Sequence, residues 1–230
     1  MNSEPESELD KAEAELWRKS KAGELSDEAF VEAWGNIEEN TPVSAGEIAQ
    51  ENAAMLKRRD AFRRVVEMAA IGFSKLPFVQ KVVLFGSVAA PPKKEIPRFR
   101  RLRRARIEIY HECKDADVAV WVDDLTQLRA LKRAVSDATN VFNQLICHQE
   151  MLPGVAHHQV DVFLFEPGTN RYRGRLCIFG QCPKGKPECR VPGCGAQPFL
   201  QLHEEFEIHP RVFKEQPCVV LFERTLNRSQ

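Results

Sequence analysis

The stretch VVLFGS runs from Val82 to Ser87, and KDADVAVWV runs from Lys114 to Val122. The first is a β-branched apolar run that stops at Gly-Ser. It has too little room before Gly86 for a long helix and reads as a buried strand. The second alternates little, is apolar throughout, and opens on Asp115 and Asp117, so it reads as another buried strand with acidic residues at its entrance. A third run, HHQVDVFLFEP, carries a single charge, Asp161, in an otherwise apolar strand that Pro167 and Gly168 bring to a close. The three buried strands are set among helical stretches.

Helical periodicity surrounds these strands. SELDKAEAELWRKSKAG is rich in helix formers and ends at Gly23, a natural C-cap. SDEAFVEAWGNIEEN places Phe30, Val31 and Trp34 on one face, with Ser26 or Asp27 as N-cap. Ser44 and Glu47 form a capping box. The helix they start is expected to run to about Lys75, through Met55, Phe62, Val66 and Ala69. Its charged middle, KRRDAFRR, reads as a solvated face. After Ser87, three prolines predict a loop, ARIEIYHE a strand, and LTQLRALKRAVSDATNVFNQLI a helix. The expected division is an N-terminal helical extension over 1–59, a core over 60–170 and a cysteine-rich segment over 171–230.

The chain of 230 residues is 43% hydrophobic, enough to build a core and to exclude global disorder. Its 33 basic and 33 acidic side chains cancel, but unevenly along the chain. Residues 1–60 hold 15 acidic and 7 basic groups, whereas 93–106 hold 8 basic and 1 acidic. No apolar run approaches the ~20 residues of a membrane-spanning helix, and the acidic start MNSEPESELD is unlike a signal peptide. The expected location is the cytoplasm.

Aspartates at i and i+2 of a strand point to one side, where they repel unless a cation sits between them. Magnesium suits two such carboxylates, because it takes oxygen ligands and keeps positions for phosphate oxygens. Gly86 lets a phosphate approach the backbone and Ser87 offers a hydroxyl. A helix starting just after Ser87 would add free N–H groups. Asp161 supplies the third carboxylate needed to deprotonate an acceptor, and three carboxylates from two adjacent strands can hold two metal ions, one activating the attacking oxygen and the other stabilising the leaving pyrophosphate.

Gly86-Ser87 closing a strand, Asp115-Ala116-Asp117 opening the next and Asp161 in a later one resemble the DNA-polymerase-beta superfamily of nucleotidyltransferases, in its small minimal members. The resemblance covers about residues 60–166. It implies an α+β nucleotidyltransferase fold, with a mixed β-sheet packed against helices, and transfer of a nucleoside monophosphate from a nucleoside triphosphate to an acceptor. The implied roles are magnesium ligation and catalysis by Asp115, Asp117 and Asp161, and nucleotide binding by Gly86 and Ser87. The chain departs from the family where 27 residues separate Ser87 from Asp115, in place of about a dozen. Lys114 also stands where serine or threonine is common.

Two further features stand apart. RFRRLRRAR places six arginines between Arg98 and Arg106, a run suited to a polyanion such as a nucleic acid or a triphosphate, or equally to pairing with the acidic N-terminal helices. CIFGQCPKGKPECRVPGC spaces Cys177, Cys182, Cys189 and Cys194 in a turn-rich segment with little core of its own. Four thiolates around a structural zinc ion would order it, with His203 or His209 able to replace one cysteine and with free thiols or disulfides as the alternatives. Beside the transferase reading stands a non-catalytic nucleic-acid-binding module, using the arginine run and the zinc loop. The acceptor is open: a protein, an RNA end or a small molecule.

Overall fold

A computed structural model of the protein describes residues 8–40, 42–169, 171–177, 199–201, 209 and 211–225. In chain order the elements are α1 (Glu8–Lys21), α2 (Asp27–Asn40), α3 (Ala45–Ser74), β1 (Val79–Phe85), α4 (Gly86–Ala89), β2 (Lys94–Glu95), α5 (Arg100–Arg104), β3 (Ile109–Tyr110), β4 (Ala116–Val122) and α6 (Leu128–Val141). There follow a π-helical turn (Phe142–Ile146), α7 (Cys147–Gln149), a 3-10 turn (His157–Gln159), β5 (Val160–Phe165), β6 (Tyr172–Leu176), β7 (Leu200–Gln201), α8 (Val212–Glu215) and β8 (Val219–Glu223). The chain forms two compact units, one of 1–52 with 94–110 and one of 53–93 with 111–230.

In the first unit, α1 and α2 pack through an aromatic trio. Trp17 lies 4.8 Å from Phe30 and 6.1 Å from Trp34 between ring centroids. The expected caps form. The Ala29 N–H donates to the Ser26 hydroxyl at 3.2 Å. Ser44 and Glu47 close the capping box, with the Ser44 N–H donating to Glu47 at 2.7 Å and the Glu47 N–H to Ser44 at 3.1 Å. Gly23 adopts φ +73°, the left-handed conformation that ends α1. The stretch expected as a strand over ARIEIYHE shortens to β3, paired with β2.

The second unit is a six-stranded sheet, ordered β7-β6-β5-β4-β1-β8. Every neighbouring pair is antiparallel except β4 and β5. A parallel neighbour needs a crossover, which α6 provides. On one face Val82, Leu84, Val118, Val120, Val162 and Leu164 bury against α3 and α6, with Phe62, Val66, Phe73, Leu131 and Val135 fully or nearly sealed. Here α3 and α6 come close, since a Cβ on Gly72 would sit 3.0 Å from the Ala134 Cβ. On the other face Val83, Phe85, Ala119, Trp121, Phe163 and Phe165 form a smaller aromatic cluster, joined by Tyr172 and Phe213. Both faces being covered explains why the strands read as continuous apolar runs rather than alternating ones. The chain is thus α+β, with a mixed sheet packed against helices.

Candidate functional site

The site is set by strand register. Across β1 and β4, Phe85 faces Asp117; across β4 and β5, Asp117 faces Asp161. The C-terminal end of β1 and the N-terminal ends of β4 and β5 therefore meet at one edge of the sheet. Alternation puts Asp117 with Ala119 and Trp121, and Asp161 with Phe163 and Phe165. Both carboxylates thus lie at the rim of the aromatic face.

Gly86 turns the chain out of β1 at φ +74°. A Cβ there would stand 2.5 Å from Asp117 Oδ2, so only glycine admits the carboxylate this close to the turn. The helix that follows is the four-residue α4, too short to supply the anion-binding N-terminus considered from the sequence. Arg59 of α3 donates to the Ala90 carbonyl at 2.7 Å and holds its far end. The Ser87 side chain hydrogen-bonds with the buried thiol of Cys113, two residues before Asp115. Gln159 ties the entrances of β4 and β5 together by donating to the Lys114 carbonyl at 3.1 Å.

Asp115 is exposed, Asp117 half-buried and Asp161 buried. Burial, then the charges of Asp115 and Asp161, push the Asp117 carboxyl up to about 7, against an opposing pull from Arg175. Burial raises Asp161 as well, with Asp115 adding to it, while Arg175 and His158 act in the other direction. Arg175, on β6, makes a direct ion pair with Asp161 through its Nη2. Beside it the Tyr172 hydroxyl is pushed up to about 12, chiefly by burial.

The sequence reasoning missed Arg175 and Tyr172. Their signal was the alternation in YRGRL, where Tyr172, Gly174 and Leu176 interleave with two arginines. In register, Tyr172 faces Phe165 and Arg175 faces Phe163, on the face of the sheet that carries the aromatic cluster and the carboxylates.

A magnesium ion is tested against this donor set. Asp117, whose carboxyl is raised by burial and by the charges of Asp115 and Asp161, suits one hard divalent ion that takes its other ligands from phosphate and water. A second ion fits less well, because Asp161 already carries a guanidinium. Among the described residues, no three His, Cys, Asp or Glu side chains are gathered into a ligand set of their own.

The arginine run belongs to the first unit. Arg101 there pairs with Glu47 at 2.7 Å and also donates to the Pro42 carbonyl at 2.8 Å, the acid-pairing option considered from the sequence. Leu102 is buried, whereas Phe99 is exposed. The KRRDAFRR segment of α3 is a paired polar surface, with Arg63 and Arg64 against Glu67 and Arg58 against Glu112. Of the proposed zinc ligands, Cys177 is buried, and its N–H donates to the Phe199 carbonyl at 2.7 Å. Cys182, Cys189 and Cys194 lie outside the described residues. Among those described, no helix is long and apolar enough to cross a membrane.

Comparison with family models, with curated proteins and with solved structures returns no match for this chain.

Proposed function

We propose that the protein is a magnesium-dependent nucleotidyltransferase, moving a nucleoside monophosphate from a nucleoside triphosphate to an acceptor. One observation carries the reading: Asp117 and Asp161 stand side by side on neighbouring strands, with the left-handed Gly86 pressed against the first of them. Asp115 and Asp117 would hold magnesium, Asp161 would flank it, and Gly86 and Ser87 would seat the phosphates. Bound there, the ion would offset the charge of the triphosphate and of the departing pyrophosphate.

The residues divide the remaining work. An acceptor oxygen bonds to the α-phosphorus as the bond to the bridging oxygen breaks, and pyrophosphate leaves with that electron pair. Asp161 takes the acceptor's proton. The aromatic floor beneath it limits the water that would otherwise compete as acceptor.

The test is incubation with each α-labelled nucleoside triphosphate, magnesium and cell extract, followed by asking which molecule becomes labelled. Asp161→Asn keeps the size of the side chain but cannot take the proton. It is expected to bind nucleotide and to lose most of the transfer. Wild-type turnover in this variant would remove Asp161 from the mechanism. A protein that neither labels nor binds any of the four nucleotides is not a transferase, and binding of RNA unaffected by Asp115→Ala would favour the nucleic-acid-binding module.

A further inference from the structure

Four neighbouring strands bring one residue each to the same edge of the sheet: Gly86 after β1, Asp117 on β4, Asp161 on β5 and Arg175 on β6. The last member changes the chemistry of the row. A guanidinium donates hydrogen bonds and accepts none, so it cannot be a metal ligand. Where it is bonded to a carboxylate oxygen, a divalent ion must displace it to bind there. Arg175 is well placed to resist displacement. Its side chain is 27% exposed and that of Asp161 11%, so the pair is largely withdrawn from water.

The charges lead to the same place. Three carboxylates carry three negative charges, and Arg175 returns one. The remainder matches one divalent ion, with the triphosphate's own charge left to be met by donors. Two such donors stand unspent: Arg175 Nε and the Tyr172 hydroxyl are both buried with no hydrogen-bond partner among the described residues. Buried donors of this kind are costly unless an acceptor arrives. An oxygen of a phosphate ligand is an acceptor of the right kind.

We infer that Arg175 stands in for a second divalent ion, so that the site takes its nucleoside triphosphate with a single ion on Asp115 and Asp117. This rests on the transferase reading above and specifies how that site is charged. Arg175 is a positioning residue: it holds Asp161 and presents fixed positive charge where a two-ion site would need another metal.

The experiment counts ions rather than turnover. Manganese(II) is titrated into the full chain with the α,β-methylene analogue of each of the four common nucleoside triphosphates in turn, and bound ion is read by electron paramagnetic resonance. The wild type is expected to bind one ion per chain and Arg175→Gln two. Arg175→Lys, which keeps a cation on Asp161, stays at one. Asp161→Asn also stays at one, and these two conservative variants decide the matter should Arg175→Gln fail to fold. Two ions in the wild type, one in folded Arg175→Gln, or loss of the ion in Asp161→Asn overturns the inference and leaves the transferase reading standing. No manganese–nucleotide binding by the wild type at all removes that reading, and the inference with it.

Discussion

Neutralising Asp117 is expected to stabilise the protein in the absence of metal. Its carboxyl is pushed up to about 7 in the folded chain by burial and by Asp115 and Asp161, against about 3.9 when unfolded. A raised folded value means that the folded state holds the proton more tightly. Its contribution to stability is therefore complete below about pH 4 and falls away as the pH rises through 7. Between pH 5 and pH 8 the unfolded carboxyl is already ionised while the folded one gives up its proton. At about 1.4 kcal/mol per pH unit, roughly two units of that interval count, so about 2.5 kcal/mol is lost. Asp161, raised in the same direction, adds to the loss. Urea unfolding with a chelator at the two pH values reads this directly. Asp117→Asn should show a smaller drop and should be more stable than the wild type at pH 8. Magnesium with nucleotide should restore the wild type at pH 8 and leave the variant unmoved. A variant with the same pH slope as the wild type, or one less stable at pH 8, would refute the electrostatic argument.

Gly86→Ala is expected to cost about 2 kcal/mol or more, since a left-handed alanine alone costs about 1–2 kcal/mol and its Cβ meets Asp117 Oδ2 at 2.5 Å. Thermal unfolding reads the loss, and the double variant Gly86→Ala with Asp117→Ala should recover part of it. The cysteine spacing leads to an expectation of about one zinc per chain in protein purified under reducing conditions. Elemental analysis checks it, and a folded, zinc-free protein whose cysteines in that segment all react with a thiol reagent would end the idea.

Much of the frame was legible because each signal was local. Ser44 and Glu47 announce a helix start whatever surrounds them, and the bonds between them form as expected. The three buried strands declare themselves by β-branched apolar runs bounded by Gly, Pro or Asp. Two kinds of feature were hidden. The π-helical turn at Phe142–Ile146 departs from the helix period by one residue, which a pattern of apolar spacing does not resolve. Strand β6, between β5 and β7, contains Gly174, φ +126°, whose missing Cβ would meet the Gln201 carbonyl oxygen at 2.6 Å. A glycine between arginines reads as a turn until its neighbour strand is known. The site divides in the same way. Asp115, Asp117 and Asp161 stand out because charge in an apolar strand needs a reason. Arg175 does not, because an arginine in a polar stretch needs none.

The aromatic face explains why the two carboxylates are held in different states. Trp121 stacks on Phe165 at 5.1 Å, Phe85 meets Phe163 at 5.6 Å, and Phe213 closes over Phe85, Trp121 and Phe165 at 5.2–5.4 Å. Apart from the Trp121 indole N–H these rings are apolar, so the rim above them is poor in solvation for anything ionised. A carboxylate there is either protonated, as burial drives Asp117 to be, or compensated by a positive partner, as Asp161 is by Arg175. The strand that carries Asp161 lies next to β6 and has its partner within the chain. The strand that carries Asp117 lies between β5 and the Gly86 turn. At that end β1 brings only backbone and Phe85 up to Asp117, and Arg175 pulls on Asp117 by its charge alone. The order of the strands thus gives the fixed positive charge to Asp161 and leaves Asp117 as the carboxyl that burial pushes up to about 7.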